Sequence, residues 1–256
     1  MDLSIITVTW NSAANISEQL RSVRAAARQI SFEQIVVDNA SDDDTISLLK
    51  AAPDIRLIAN QKNLGFSAAN NQGARLAKGD FWLFLNPDMR VMEGSLDQLV
   101  AWMRANPEIG VGGVKLVTES GATNQAVLPR RFPSILDAIL LLLKIPHISP
   151  GVHDCYLMRD VDFGREQSVD SVRGSFLCLR RSVYEKLGRA VDPRYFIWFE
   201  DVDLCREVKR LGYDVRFTPD ITCVDRFGQS FRAQNFFWKQ WQFVRSMIRY
   251  FLKWAN

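Results

Sequence analysis

The chain has 256 residues, 47% of them hydrophobic and 24% charged, enough to bury the core of one large α/β domain or two small ones. Its formal net charge of +3 hides an asymmetry, because residues 226–256 hold six Lys or Arg and no acid, leaving 26 basic against 29 acidic residues elsewhere. That balance excludes a nucleic-acid-binding body and leaves a basic tail that calls for an anionic partner or a membrane surface. The four cysteines, Cys155, Cys178, Cys205 and Cys223, form no C-x-x-C pair, which argues against a zinc site or a disulfide framework and for a reducing cytosol.

The chain opens directly into a strand-like run, Leu3 to Val8, with no basic leader or cleavage site, so export is not expected. An amphipathic helix follows, with Ile16, Leu20, Val23 and Ala27 on one face and a cap expected from Asn15 with Glu18 three residues on. Ile35 to Val37 reads as the second strand and ends on Asp38-Asn39-Ala40-Ser41. Ser41 is expected to cap a short helix whose first turn carries Asp42, Asp43 and Asp44. A third strand, Ile55 to Ala59, leads to Asn60-Gln61-Lys62-Asn63-Leu64-Gly65 and a helix from Phe66 to Lys78. That helix is rich in small residues, which predicts close approach of a neighbour or ligand.

The next strand, Phe81-Trp82-Leu83-Phe84-Leu85, is apolar throughout, as a strand buried on both faces must be, and it stops abruptly on Asn86-Pro87-Asp88. Ligands of open α/β sheets collect beyond the carboxyl ends of the strands, so Asp38 and Asp88 are candidates for chemistry as well as for turns. A helix from Gly94 to Ala105 and a strand from Val111 to Val117 follow. Residues 118–168 have weak periodicity and four prolines, Pro129, Pro133, Pro146 and Pro150, the mark of a functional loop or lid. The apolar stretch Ile135 to Ile145 is broken by Asp137 and Lys144 and falls short of the ~20 residues that span a bilayer. A strand from Val172 to Leu179 and a helix from Arg181 to Leu187 lead to DPRYFIWFEDVDLCREVKRLG, residues 192–212. Here aromatic residues crowd up to Glu200-Asp201 at the start of a helix ending at Gly212. Acids at a helix start complement its dipole, and a carboxylate against aromatic rings is also placed to be tuned as a general base.

In order along nearly the whole chain, the segments IITVTWNS, VVDNASDDDT, NLGFSAANNQG, FLNPDMRV, RGSFLCLRRSVYEKLG and FIWFEDVDLCREVKRLGYDV resemble the inverting nucleotide-sugar glycosyltransferases of family 2, rhamnosyltransferase-like group. The resemblance implies a GT-A fold: α/β, a Rossmann-like mixed and mainly parallel sheet flanked by helices, with a C-terminal amphipathic helix. It implies a transferase domain over 1–230, with a nucleotide-sugar half of about 1–110 and an acceptor half of 111–230. Asp38 would contact the donor nucleoside, and Thr9, Asn11, Asn63, Gly65, Asn70, Asn86, Trp198 and Glu200 would line the nucleotide-sugar site. Asp88 would stand at the D-x-D position and hold Mg²⁺ or Mn²⁺ on the diphosphate, with Asn86 replacing the first acid. Asp201 would be the catalytic base. A cation on the departing diphosphate and a base on the opposite side of the anomeric carbon are what a single inverting displacement requires.

The match departs from the family in two places. Asp225 stands where the family carries a His, in Asp225-Arg226-Phe227-Gly228-Gln229-Ser230, and as an oxygen ligand can replace it at the metal. Arg226 either meets the diphosphate or is a solvated surface residue. The family's Gly-Gly-Phe-Asp stretch is altered to Gly188-Arg189-Ala190-Val191-Asp192, near the acceptor side. His147 and His153 read as surface residues.

In the tail, 231–256, Phe237, Trp241, Val244, Ile248 and Phe251 form one stripe and Arg245, Arg249 and Lys253 another, which reads as an interfacial helix on an anionic membrane. The competing reading packs it on the core or in a homodimer interface. The expected function is transfer of a sugar, rhamnose from deoxythymidine diphosphate rhamnose, to a lipid-linked or cell-surface glycan precursor at the cytoplasmic face of the membrane. Uridine diphosphate sugars are the alternative donors, and a membrane-associated scaffold that binds nucleotide sugar without turnover is the alternative role. Neither G-x-G-x-x-G nor G-x-x-x-x-G-K-[ST] occurs, which argues against dinucleotide and P-loop enzymes.

Overall fold

Alternate residues of the central strands serve opposite faces of one sheet. In β1 (Leu3–Thr9) Leu3 and Ile5 point to one layer and Ile6 to the other, and in β4 (Phe81–Leu85) Phe81, Leu83 and Leu85 oppose Trp82 and Phe84. The apolar run is thus explained by burial on both sides, worth roughly 1.5–3 kcal/mol for each large side chain. The structure, a computed structural model, describes residues 1–143, 151, 154–226 and 236–255. His147, His153, Pro146, Pro150, Phe227 to Ser230 and the expected boundary at 230/231 lie outside the described residues.

Four further strands complete the first half and its edge: β2 (Phe32–Asp38), β3 (Ile55–Ala59), β5 (Met89–Val91) and β6 (Ile109–Val117). Later come β7 (Gln167–Ser168), β8 (Phe176–Arg180) and β9 (Asp214–Asp225). Among the described residues they make one nine-stranded sheet in the order β3-β2-β1-β4-β8-β6-β9-β5, with β7 on β9. Pairing is parallel from β3 to β4 and antiparallel where β8 enters between β4 and β6, so both halves of the chain share one sheet. Helices α1 (Ala13–Ala26) and α4 (Ser95–Ala105) cover one face. The other carries α3 (Phe66–Ala74), α6 (Arg181–Leu187) and α7 (Glu200–Arg210), while α2 (Thr45–Ala51) packs beside α1. The small residues of α3 have a packing reason, since a Cβ on Gly73 would come within 2.6 Å of Ile6 on β1.

Three local expectations are corrected. Helix α1 starts after Ser12, and Asn15 is buried in its first turn rather than capping it, while Glu18 is drawn to Arg226 at 2.6 Å. Helix α2 starts only at Thr45, whose N–H donates to Asp43 Oδ1 at 3.0 Å, because Ser41 is taken by Asp38. The strand expected from Val172 begins at Phe176, since residues 172–175 leave the sheet to floor the cleft described below. The segment 118–168 contains helix α5 (Ile135–Leu142), opened by a capping box of Ser134 and Asp137, and α5 lies against the C-terminal helix α8 (Phe236–Trp254).

Candidate active site

The carboxyl ends of β1, β2 and β4 open on two adjoining cavities that share Phe66, Asn86 and Ile197 as walls. The smaller is lined by Trp10, Asn39, Asn63, Asn86, Phe196 and Trp238. The larger holds Asp88, Arg173, Trp198, Glu200, Asp201 and Asp225.

Behind the smaller cavity Asp38 is fully buried, opposite Thr9 in the parallel register. It accepts hydrogen bonds from Thr9 Oγ1 at 2.8 Å, Ser41 Oγ at 2.5 Å and Ser41 N–H at 2.9 Å, and so ties the ends of β1 and β2 together. Asn11, with φ at 50°, accepts from Asp42 N–H at 2.9 Å, which fixes the β1–α1 turn to the β2–α2 loop. Asn63 accepts from Gly65 N–H at 2.9 Å. Asn70 turns inward, donating to the Phe66 carbonyl at 3.0 Å within α3.

Gly65 is required by two independent constraints. Its φ and ψ of 90° and 164° fall in a region that is essentially glycine's alone, and a Cβ there would lie 2.7 Å from both the Phe196 ring and the Phe196 carbonyl oxygen. That carbonyl accepts from Phe66 N–H at 2.7 Å, so the loop before α3 is clamped to the aromatic segment before α7. Asn71, part of the quoted NLGFSAANNQG segment but given no role of its own there, adds a second clamp, donating to the Val191 carbonyl at 2.8 Å and accepting from Ala190 and Val191 N–H at 3.0 and 3.2 Å.

The aromatic segment is strained where it delivers the acids. Trp198 and Phe199 take consecutive positive φ of 64° and 69°, at roughly 1–3 kcal/mol each, and α7 begins at the next residue. Glu200 and Asp201 therefore sit in the first turn of α7, facing the cleft. Asp201 accepts from Gly174 N–H at 3.0 Å and Val202 N–H at 2.8 Å, which orients its carboxylate. Glu200 is buried, and its Oε2 has no hydrogen-bond partner among the described residues. Burial, and then the charge of Asp201 beside it, push its carboxyl up to about 8.

Asp88 and Asp225 meet at the far end of the cleft. Asp88 follows β4 and Asp225 ends β9, in register with Met89, and both are buried. Burial raises the Asp88 carboxyl above its ordinary range. Among the described residues no group of three or more His, Cys, Asp or Glu is placed to hold a metal. Two carboxylates so placed, Asp88 just before β5 and Asp225 on its partner strand β9, nevertheless fit a hard divalent cation that would take its other ligands from diphosphate oxygens and water.

The cations of the cleft are not those the sequence suggested. Arg226 points away, to Glu18 at 2.6 Å and Glu119 at 2.7 Å. Arg173 instead lies in the cleft near Asp201, Asp225 and Arg130. Burial, and then Arg130, lower its guanidinium to about 10, still cationic at neutral pH. It stands in the quoted segment RGSFLCLRR, but a single Arg before a strand carries no signal of its own. Trp238 was equally hidden. It reaches the smaller cavity from α8, 6.5 Å from Trp10 and 5.8 Å from Phe196 between ring centres.

A family profile described as glycosyl transferase family 2 matches residues 4–164. The chain belongs to that family. Among its relatives is an N-acetylglucosaminyl-diphospho-decaprenol L-rhamnosyltransferase of Mycobacterium tuberculosis, 26% identical over 85% of this chain and 73% of the relative. The O-antigen biosynthesis protein RfbC of Myxococcus xanthus is 30% identical over 83% of this chain, which spans only 16% of that protein. An uncharacterised Sinorhizobium fredii protein, y4gI, is 25% identical, and the chain spans 23% of its length. The fold is GT-A. The mannosyltransferase PcManGT of Pyrobaculum calidifontis, solved with GDP-Man and Mn²⁺, superposes with a TM-score of 0.64 at 19% identity, covering 99% of this chain and 64% of its own. Staphylococcus aureus TarS, residues 1–349 with UDP-GlcNAc, gives 0.58 at 18% identity over 92% of this family 2 chain and 62% of its own.

Proposed function

We propose that this family 2 chain is a metal-dependent inverting glycosyltransferase that moves rhamnose from deoxythymidine diphosphate rhamnose to a lipid-linked or cell-surface glycan precursor. The observation that carries the reading is the convergence of Asp88, Asp225, Glu200 and Asp201 on one cleft, beside a second cavity of aromatic and amide walls. The nucleoside belongs in the smaller cavity, at the ends of β1 and β2, where Asn63 offers an amide and Trp10 an apolar face. Asp88 and Asp225 would hold Mg²⁺ or Mn²⁺, and a cation there would supply positive charge for the departing diphosphate, while Arg173 adds a fixed positive charge in the same cleft. Asp201, held by two backbone N–H groups, takes the proton of the acceptor hydroxyl as that oxygen attacks the anomeric carbon. Glu200, its carboxyl pushed up to about 8, has an oxygen without a partner among the described residues and available to a sugar hydroxyl.

The donor sugar is supported by the mycobacterial relative, and the uridine diphosphate alternative by the UDP-GlcNAc complex of TarS. No helix among the described residues is long and apolar enough to cross a membrane. For peripheral contact at the inner face of the cell membrane, the supporting feature is an apolar outer face on two neighbouring helices. Phe237, Trp241 and Leu252 of α8 are 79%, 65% and 74% exposed, and Ile135 and Leu136 of α5 are 62% and 64% exposed. The basic stripe read in the sequence is divided by the structure. Arg245 stays exposed, but Arg249 donates to the Arg194 carbonyl and Lys253 turns inward, so the inner side of α8 packs on the domain.

The test is a panel of nucleotide sugars assayed for hydrolysis and transfer with Mn²⁺, Mg²⁺ or chelator. Metal-dependent turnover of the deoxythymidine diphosphate sugar is the expected result. Metal-dependent binding with no turnover of any donor, even with a lipid-linked acceptor supplied, would favour the non-catalytic scaffold.

A further inference from the structure

The inner face of α8 is fastened to the segment that presents Glu200 and Asp201, and the fastening is concentrated at one cation. Lys253 Nζ lies 2.5 Å from Asp203, 2.8 Å from Glu207 and 3.1 Å from Asp192, and its side chain is only 14% exposed. Asp203 and Glu207 belong to α7, and Asp192 precedes the aromatic segment. Arg189 also reaches Glu207 at 2.6 Å and Arg194 reaches Asp192 at 2.6 Å, so Asp203 is the acid that depends on Lys253 for positive charge. Its other partners, Trp254 Nε1 at 2.7 Å and the Tyr195 hydroxyl at 3.2 Å, are neutral.

Asp203 is two residues from Asp201 in the same helical turn, and its N–H donates to the carbonyl of Phe199 at 2.9 Å. The two left-handed residues before α7 are held from outside by the same helix. Ser246 Oγ donates to the Ile197 carbonyl at 2.7 Å, and Phe199 packs on Phe243 and Tyr250 with ring centres 5.4 Å away from each. Strained backbone of this kind persists only where its surroundings over-determine it.

We infer that Lys253 is a positioning residue for the base, with α8 as a third wall of the active site that its ion cluster locks in register with α7. The inference rests on the assignment of Asp201 as base. It gives the C-terminal helix a task in turnover that is separate from any contact of its outer face with lipid.

The experiment compares transfer kinetics and melting temperature of the full chain with those of Lys253→Met, Lys253→Arg, Trp254→Phe and Asp201→Asn. Lys253→Met is expected to lower kcat by about 10-fold to 100-fold while donor KM stays within about threefold, because displacement of the base costs turnover and not ground-state binding. Lys253→Arg restores most of kcat by keeping the charge. Parental kcat in Lys253→Met with an inactive Asp201→Asn would overturn the inference and leave the base assignment standing. Full turnover in Asp201→Asn would overturn both. Should Lys253→Met fail to fold, Lys253→Gln decides, since it removes the charge beside Asp203 and keeps a polar side chain of similar reach: a several-fold loss of kcat at parental melting temperature supports positioning, unchanged kcat reduces Lys253 to a structural anchor, and Trp254→Phe measures the neutral bond to Asp203 separately.

Discussion

Replacing Gly65 by Ala tests whether the loop before α3 sets the position of the catalytic segment. The added methyl group meets Phe196 at 2.7 Å from both its ring and its carbonyl oxygen, at least about 0.7 Å inside ordinary contact, and the carbonyl cannot retreat without stretching its 2.7 Å bond from Phe66 N–H. The backbone at φ 90° and ψ 164° adds a conformational cost of about 1–3 kcal/mol, and loss of the clamp about 0.5–1.5 kcal/mol. The sum is a destabilisation of roughly 2–4 kcal/mol, to be read from urea unfolding, with a fall of at least about tenfold in kcat/KM because Phe196 leads directly to Glu200 and Asp201. Gly94→Ala is the control. Gly94 has φ at 72° and, among the described residues, nothing within 4 Å of the added Cβ, so it bears a backbone cost of about 1 kcal/mol and keeps full activity. If Gly65→Ala unfolds at the parental urea concentration and turns over at the parental rate, the clamp does not set the site.

Asn71→Ala removes three hydrogen bonds that join α3 to residues 190–191 and strands two buried N–H groups, so it should cost roughly 2–4 kcal/mol in chemical denaturation; a change below about 0.5 kcal/mol would contradict that role. Glu200, raised to about 8 by burial first and by Asp201 second, keeps in the folded state a proton that the unfolded chain releases near its ordinary value of 4.5. The stability it contributes is complete below about pH 4.5 and is lost as pH rises through the folded value, so the metal-free parent should weaken across that window while Glu200→Gln flattens the slope. Equal slopes in the two proteins would refute the raised acid. Asp225→Asn should weaken Mn²⁺ dependence of turnover by at least about tenfold in half-saturating metal, and an unchanged metal titration would place the cation elsewhere. Phe237→Ser with Trp241→Ser should lower co-sedimentation with anionic vesicles at least about tenfold at constant melting temperature, and undiminished binding would remove α8 from the membrane contact.

Much of the frame was legible because it follows from burial alone. The uniform apolarity of Phe81 to Leu85 located the central strand, and the acids after β2 and β4 marked the edge where a crevice opens. Helix boundaries failed where a polar side chain had a partner that won over the cap, local for Ser41, taken by Asp38, and distant in sequence for Glu18, taken by Arg226. Arg173 and Asn71 were invisible for a related reason: each acts through residues at a distance in sequence, and neither residue type nor spacing declares that. The tail shows the limit of periodicity. Its pattern identified an amphipathic helix but not which basic residues face outward, since Lys253 lies inward only because Asp192, Asp203 and Glu207 are there to receive it.

The most direct test of the whole account is Asp201→Asn, measured for donor binding by calorimetry with Mn²⁺ and for transfer to acceptor in the same preparation. The account predicts nucleotide-sugar affinity close to the parent's, since the base lies away from the smaller cavity, with transfer lost by at least about 100-fold. Retained transfer would contradict it by removing the base from Asp201.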